Sequence, residues 1–115
     1  MDPKDPRMAR LKKLLEEKAL LRGDFILTSG ARSSYYLDGR RVTHDAEGLV
    51  LIGTLVAEIL EIAGVEAIGG PTIGANPIVT AVQVSSFERG KPVSGFFVRA
   101  EQKTYGTKRR IEGNL

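Results

Sequence analysis

Residues 65–99 read VEAIGGPTIGANPIVTAVQVSSFERGKPVSGFFVR. A short apolar run (65–68) gives way to a Gly-rich segment (69–76), then a helix-length stretch (77–88), then a second apolar run (93–98). Strand, loop, helix and strand in that order form a βαβ unit, whose two strands lie parallel with a right-handed crossover. Asn76 followed by Pro77 predicts the N-cap and first position of the helix. In open parallel sheets ligands collect at the carboxyl ends of the strands. The loops after Ile68 and after Val98 therefore belong at one edge, which is where a site is to be sought.

Upstream, residues 45–63 carry Leu49, Ile52, Val56, Ile59 and Ala63 in one stripe with Leu60 beside it, which predicts a long helix. Thr43 or Asp45 is placed to cap its start and Gly64 its end, while Glu58 and Glu61 fall on its expected wet side. Further back, GDFILTSGARSSYYLDGRR (23–41) holds two β-prone runs, 25–27 and 34–37, around a polar connection (28–32) in which Gly30 supplies backbone freedom. Tyr35 and Tyr36 point to opposite faces of such a strand, so one of them is available as a platform for a flat ring. Before this hairpin, Met8, Leu11, Leu14, Leu15, Ala19 and Leu21 recur at near-helical spacing and Gly23 stands where a helix ends, predicting an amphipathic helix over 7–22.

The 115 residues fit one domain, with a hydrophobic fraction of 42% and a charged fraction of 27% that are ordinary for a globular chain. No stretch approaches the about 20 apolar residues of a membrane helix, and the first residues, MDPKDPRMARLKK, lack the apolar core of a secretory signal. A cytoplasmic protein without membrane contact is the expectation. The absence of Cys excludes disulfides and thiolate metal sites, and the lone His44 cannot build a histidine cluster or serve as an evident base for a serine nucleophile.

The net charge of +3 is unevenly spread. Residues 1–22 hold seven Lys or Arg against four acids, 23–98 hold five against eight, and 99–115 hold five against two. A basic end points to an anionic partner or to a solvated tail, and charge alone leaves both open. No aromatics interleave the N-terminal charges, so nucleic acid is not expected. GGPTIGANP (69–77) brings backbone N–H groups close to a helix start, as phosphate-binding loops do, but it is neither GxGxxG nor a Walker motif. Residues 99–112 form a long polar segment around Gly106 in which Lys103, Lys108, Arg109 and Arg110 would let a lid close over a phosphate-rich ligand.

Taken in order, FILTSGARSSYYLDGRR, GGPTIGANPIVTAV and FFVRAEQKTYGTKRRIEG resemble the orotate phosphoribosyltransferases, and among them the bacterial type with SGK…YYVD and VRK…HG…RRIEG. The match runs from about Gly23 to the last residue, with several separated motifs in agreement. The resemblance implies a type I phosphoribosyltransferase fold: an α/β domain with a parallel sheet and flanking helices, plus an N-terminal hood. It divides the chain into an N-terminal helix and hood hairpin (1–42), an α/β core (43–98) and a basic catalytic-type loop (99–115). It implies transfer of the phosphoribosyl group of 5-phosphoribosyl 1-diphosphate to orotate, giving orotidine 5′-monophosphate and pyrophosphate in UMP biosynthesis. It also implies substrate-bound Mg²⁺ and a homodimer whose loop 99–112 reaches the neighbouring site.

Carried over by position, the resemblance puts Thr28, Ile73, Gly74, Arg99, Lys103 and Tyr105 on the diphosphate substrate, with Lys103 catalytic, and Tyr36 and Leu37 on orotate. No protein ligand to a metal is implied. Thr28 and Gly74 stand where some relatives have Lys, Ala100 where Lys is common, and Tyr105 where His is common. Ala100 and Tyr105 each remove a possible cation from a loop that stabilises a departing anion, where a single donor is worth about 3 kcal/mol of barrier in other enzymes; Lys108 and Arg109 could compensate. The family continues past IEG into a strand and an acidic ribose-phosphate loop, motifs absent from these 115 residues. The chain is therefore expected to represent the N-terminal portion of such an enzyme, to be inactive alone, and to leave a sheet edge unpaired. A non-catalytic regulator or anion-binding module of the same fold is the competing expectation.

Overall fold

A computed structural model of the chain describes residues 2–101, 106 and 110–115. Its centre is the βαβ unit. Strand β3 (Ala67–Pro71) leads into helix α4 (Asn76–Glu88), which returns to β4 (Ser94–Val98). The two strands are parallel and in continuous register from Ala67 opposite Ser94 to Pro71 opposite Val98. A third strand, β5 (Ile111–Gly113), pairs antiparallel with β4, so the sheet order is β3-β4-β5 and the sheet is mixed. The fold is α/β as expected, but residues 99–115 are not loop throughout. β5 is three residues long and carries no apolar alternation; pairing with β4, not local propensity, makes it a strand.

Two glycines explain how closely these elements approach. A Cβ on Gly69 would lie 2.4 Å from the ring of its cross-strand partner Phe96, and one on Gly70 would lie 2.6 Å from Ala75 Cβ. The GGP signature thus serves packing on both faces of β3. Helix α4 begins one residue earlier than expected. Ala75, not Asn76, is the N-cap, because the Ala75 N–H donates to Pro71 O (3.1 Å) and the Asn76 N–H to Ile73 O (3.0 Å), winding the turn into the helix before Asn76 is reached.

Helix α3 (Ala46–Ala63) has the expected ends. The Asp45 carboxylate accepts from the Gly48 N–H at 2.9 Å, and Gly64 closes the helix at φ +70°. Its buried face, however, is Gly48, Gly53, Leu55 and Ala57, while Ile59 and Ala63 from the expected stripe are exposed. The reason is contact distance. A Cβ on Gly53 would lie 2.8 Å from Ala81 O in α4, and one on Gly48 would lie 2.6 Å from Val42 O in the short helix α2 (Arg40–Thr43). Small residues bury because they admit a neighbouring backbone.

The N-terminal segment departs most from expectation. Instead of one helix over 7–22, α1 (Pro6–Leu14) runs into a π-helical turn (Leu15–Ala19) and then into β1 (Leu20–Ile26). Leu20 and Leu21 pair with Leu37 and Tyr36 of β2 (Arg32–Leu37), so the ladder takes residues that helical spacing had claimed. Gly23 is not a helix terminator but sits in the irregularity between Arg22 and Phe25, where two residues oppose one. The hairpin itself is as expected, and Gly30 turns at φ +86°.

α1 is tied to the core by charge. The Arg7 guanidinium donates to both carboxylate oxygens of Glu58 (2.9 and 2.7 Å) and to Asp5, while Arg89 at the end of α4 approaches Glu58 at 3.6 Å and donates to Glu61 at 2.7 Å. Glu58 and Glu61 are thus the junction of three helices, not a purely solvated face. The apolar core is small: Leu14, Val42 and Val82 are its largest fully buried side chains. Ile62, Ile73 and Phe87 stay at least 74% exposed, and the radius of gyration is 16.4 Å against about 13 Å for a compact chain of this length. Among the described residues, no helix is long and apolar enough to cross a membrane.

Two outcomes follow for stability. Gly53→Ala should destabilise the chain in urea unfolding by about 1–3 kcal/mol, since overpacking against Ala81 outweighs the about 1 kcal/mol that alanine gains over glycine in a helix; a stabilised variant would contradict the close α3–α4 approach. The second concerns acid. Hydrogen bonding from Arg7 holds the Glu58 carboxyl below its ordinary value of 4.5. Its stabilising contribution is present above that value and lost as pH falls through the lower folded one. Arg7→Met should therefore lower Tm at neutral pH and flatten the fall of Tm below about pH 5; parallel Tm–pH curves for parent and variant would remove Glu58 from the acid transition.

Candidate active site

The continuous register of β3 and β4 brings the turn 72–75 and the segment after Val98 to the same carboxyl edge. The Thr72 N–H donates to Val98 O at 3.0 Å and stitches the two together. Thr72 spends its backbone N–H on Val98 O, and Ala75 and Asn76 spend theirs on Pro71 O and Ile73 O within the turn. Those of Ile73 and Gly74 have no acceptor among the described residues. Ile73 is 80% exposed, and a Cβ placed on Gly74 would meet nothing within 4 Å, so the turn that carries these two donors is open just ahead of α4. Such donors and the positive end of a helix suit an anion. The Thr72–Ile73 peptide is cis.

Arg99 enters the same edge from β4. A Cβ on Gly95 would collide with Gln83 of α4, so Gly95, Phe97 and, by strand alternation, Arg99 lie on the face that α4 covers. The Arg99 guanidinium sits 5.5 Å from the centroid of the Phe97 ring, and its Nε is 3.6 Å from Glu112 Oε1, an ion pair rather than a hydrogen bond. Arg99 Nε and Asn76 Oδ1 are buried polar atoms without a hydrogen-bond partner among the described residues. One orphaned donor and one orphaned acceptor at one sheet edge are what a site awaiting polar contacts leaves behind. Asn76 and Glu112 both line a cleft of about 150 Å³ between α4 and the sheet.

Of the other positions the resemblance singled out, Thr28, Tyr36 and Leu37 lie exposed on the hairpin. Tyr36 packs its ring 5.8 Å from that of Phe25, at 34°. No hydrogen bond, ion pair or ring contact among the described residues joins the hairpin to the 72–75 turn or to Arg99. Ile73, Gly74 and Arg99 follow the carboxyl ends of neighbouring strands; the hairpin positions do not. Lys103, Tyr105, Lys108 and Arg109 lie outside the described residues. Arg110 does not project as a free cation: its guanidinium donates to Arg99 O (3.4 and 3.3 Å) and to Ala100 O (3.2 Å), bracing the base of the basic segment.

A roomier concavity, about 750 Å³, lies elsewhere, between Glu17, Lys18, Arg40, Arg41 and His44. Its cations are already committed, Lys18 to Asp45 and Arg40 with Arg41 to Asp38. His44 Nδ1 faces Arg40 O at 2.9 Å, in keeping with an unreactive helix-end histidine. Lys18 and a backbone hydrogen bond from Gly48 hold the Asp45 carboxyl below its ordinary range, and Arg40 does the same to Asp38, so these acids stay ionised partners. The carboxyl edge of β3 and β4 is the better site on chemistry.

Sequence reasoning missed Glu112, Asn76 and Phe97 as parts of this edge. Period-two alternation through 95–99 was a signal for the Phe97–Arg99 face. Nothing local signalled Glu112, which arrives through the return of β5.

No family model matches the chain. It is 48% identical over 100 residues to an orotate phosphoribosyltransferase of Synechocystis sp., covering 87% of this chain and 50% of that protein. Against the orotate phosphoribosyltransferase of Nostoc sp. the identity is 42% over 104 residues, covering 90% and 50%. The crystal structure of Mycobacterium tuberculosis orotate phosphoribosyltransferase with Fe(III) dicitrate superposes with a TM-score of 0.79 at 34% identity, over 96% of this chain and 61% of that one. The same enzyme in complex with 5-phospho-α-D-ribosyl 1-diphosphate gives 0.73 at 32%, over 96% and 58%. The chain spans about half the length of the curated relatives it matches. Sequence and fold agree over nearly the whole chain, and by both it is similar to the orotate phosphoribosyltransferases over about half of their length.

Proposed function

We propose that this chain supplies the pyrophosphate-gripping part of a site that transfers the phosphoribosyl group of 5-phosphoribosyl 1-diphosphate to orotate, yielding orotidine 5′-monophosphate and pyrophosphate in pyrimidine biosynthesis. The observation that carries the reading is that the 72–75 turn and Arg99 follow the carboxyl ends of two parallel strands in register, joined by the Thr72 N–H to Val98 O hydrogen bond. The curated relatives share the name of that activity, and one solved neighbour holds 5-phospho-α-D-ribosyl 1-diphosphate, which supports the substrate class.

In this reaction the bond from ribose C1 to the pyrophosphate oxygen breaks, C1 takes on oxocarbenium character, and orotate N1 forms the new bond. The developing charge on pyrophosphate is what the chain meets. Two fixed backbone donors and one guanidinium, already in place, stabilise it without reorganisation. Arg99 suits this role because its planar fork fits two phosphate oxygens. Tyr36 and Leu37 on the hood hairpin are the proposed orotate contacts, and Thr28 a further contact to the diphosphate. Lys103, as catalytic cation, and Tyr105 complete the reading.

Among the described residues no three His, Asp or Glu side chains converge as metal ligands. In this reading Mg²⁺ rides on the phosphates of the substrate and takes no protein ligand from the described chain. A homodimer, with segment 99–112 reaching a neighbouring site, and a cytoplasmic setting belong to the same proposal. The competing reading is an anion-binding module without turnover; Ala100, and the Arg110 guanidinium turned onto backbone carbonyls, favour it.

Two measurements test these statements. Arg99→Ala should weaken pyrophosphate binding, followed by calorimetry, about tenfold to a hundredfold, the worth of a charge-assisted hydrogen bond. Gly74→Ala should leave Tm unchanged, since its Cβ enters open space, while weakening the anion severalfold. Unaltered binding in both variants would move the anion site away from this edge. Offered orotate and the diphosphate substrate with Mg²⁺, the 115-residue chain should bind the diphosphate without consuming orotate. The same assay on a chain lengthened to the size of the relatives separates the two readings: turnover there excludes the module, and its absence excludes the transferase.

A further inference from the structure

We propose that Glu112 is a positioning residue for Arg99: it aims the guanidinium so that the fork of its terminal nitrogens faces an anion at the carboxyl edge. The proposal rests on the reading of Arg99 as a pyrophosphate ligand and adds a residue that this reading did not contain.

Glu112 stands directly opposite Phe97 in the antiparallel β4–β5 pair, so both project from the face that α4 covers. Arg99, two residues beyond Phe97, lies on the same face and diagonal to Glu112. Three restraints meet on Arg99. Its backbone N–H is bonded to Arg110 O, its cation lies over the Phe97 ring at 5.5 Å, and its Nε is 3.6 Å from Glu112 Oε1. The restraints hold one edge of the guanidinium plane. Nη1 and Nη2 have no acceptor among the described residues, leaving the edge that matches two phosphate oxygens.

Placing a carboxylate here has an electrostatic cost. An acid beside Arg99 reduces the attraction of the edge for a highly charged anion. Side chains of Arg99 and Glu112 are only 32% and 25% exposed, so solvent does not fully erase this cost. An orienting acid offsets this repulsion by preventing the guanidinium from scattering among rotamers.

The two roles predict opposite signs for Glu112→Gln, which keeps the shape and removes the charge. If Glu112 acts only as a charge, pyrophosphate should bind more tightly to the variant. If it positions Arg99, binding should weaken about tenfold, the worth of one misdirected charge-assisted hydrogen bond. The test is calorimetric titration of inorganic pyrophosphate into the parent chain and the Glu112→Gln, Glu112→Asp and Arg99→Ala variants, with ¹⁵N relaxation of the Arg99 Nε–H as a second readout. Circular dichroism checks folding of each. The expected result is weaker binding and a mobile Nε–H in Glu112→Gln, with both partly restored in Glu112→Asp. Equal or tighter binding in Glu112→Gln, or an Nε–H as ordered as in the parent, overturns the proposal while Arg99 stays an anion ligand if Arg99→Ala still loses binding. A parent chain that does not bind pyrophosphate, or an Arg99→Ala variant that binds it unchanged, overturns the reading of Arg99 and the proposal with it.

Discussion

The in-register parallel pairing of β3 and β4 is the constraint on which the rest of the molecule hangs. Because Pro71 and Val98 end at the same level, the chain leaves both strands at one edge, and a single hydrogen bond from the Thr72 N–H to Val98 O suffices to join the two exits. α4 must cross between the strands, which sets its N-terminus beside the turn 72–75. The donors of that turn, the start of α4 and the Arg99 side chain are then neighbours by topology. β5 adds itself to the far side of β4 and brings Glu112 opposite Phe97. None of this depends on the hairpin.

Close approach makes the arrangement possible, and glycine makes close approach possible. Gly69 leaves room for the Phe96 ring, Gly70 for Ala75, Gly95 for Gln83 and Gly53 for the Ala81 backbone. A side chain at Gly70 would press on the start of α4 and one at Gly53 would push α3 off α4, while one at Gly69 or Gly95 would displace the Phe96 ring or the Gln83 side chain. With a small core and several large apolar side chains exposed, charge joins the N-terminal segment to the body: Arg7 from α1 and Arg89 from α4 converge on Glu58 of α3. Isolated exposed ion pairs contribute little. Here one carboxylate serves two helices while a third helix carries it, so the interaction orients elements more than it stabilises them.

Much of the fold was legible. The Asp45 cap and Gly64 terminator of α3, the βαβ order and the hairpin around Gly30 follow from local rules, because each depends on residues within a few positions of one another. The failures share a cause. Leu20 and Leu21 look helical until β2 offers them a ladder, Ile111–Gly113 looks like loop until β4 does, and Asn76 looks like a cap until the preceding turn winds through it. The buried face of α3 went unrecognised because apolar periodicity weights large side chains, while Gly48, Gly53 and Ala57 are buried for being small. At the site, Ile73, Gly74 and Arg99 could be named from their motifs; their convergence could only be expected from the rule for parallel sheets.

The sequence by itself determined the family resemblance, the βαβ order and the basic charge of residues 99–115, since motif spacing and charge are written in one dimension. Tertiary structure alone decided which donors are free and which are spent. Thr72 gives its N–H to Val98 O, and Ala75 and Asn76 give theirs to the turn; among the described residues Ile73 and Gly74 keep theirs, and Arg110 is consumed by backbone carbonyls while the Arg99 fork meets no acceptor. The physical reason is that hydrogen-bond satisfaction belongs to a folded neighbourhood: a donor becomes available to a ligand only after every nearer acceptor in three dimensions has been taken or turned away.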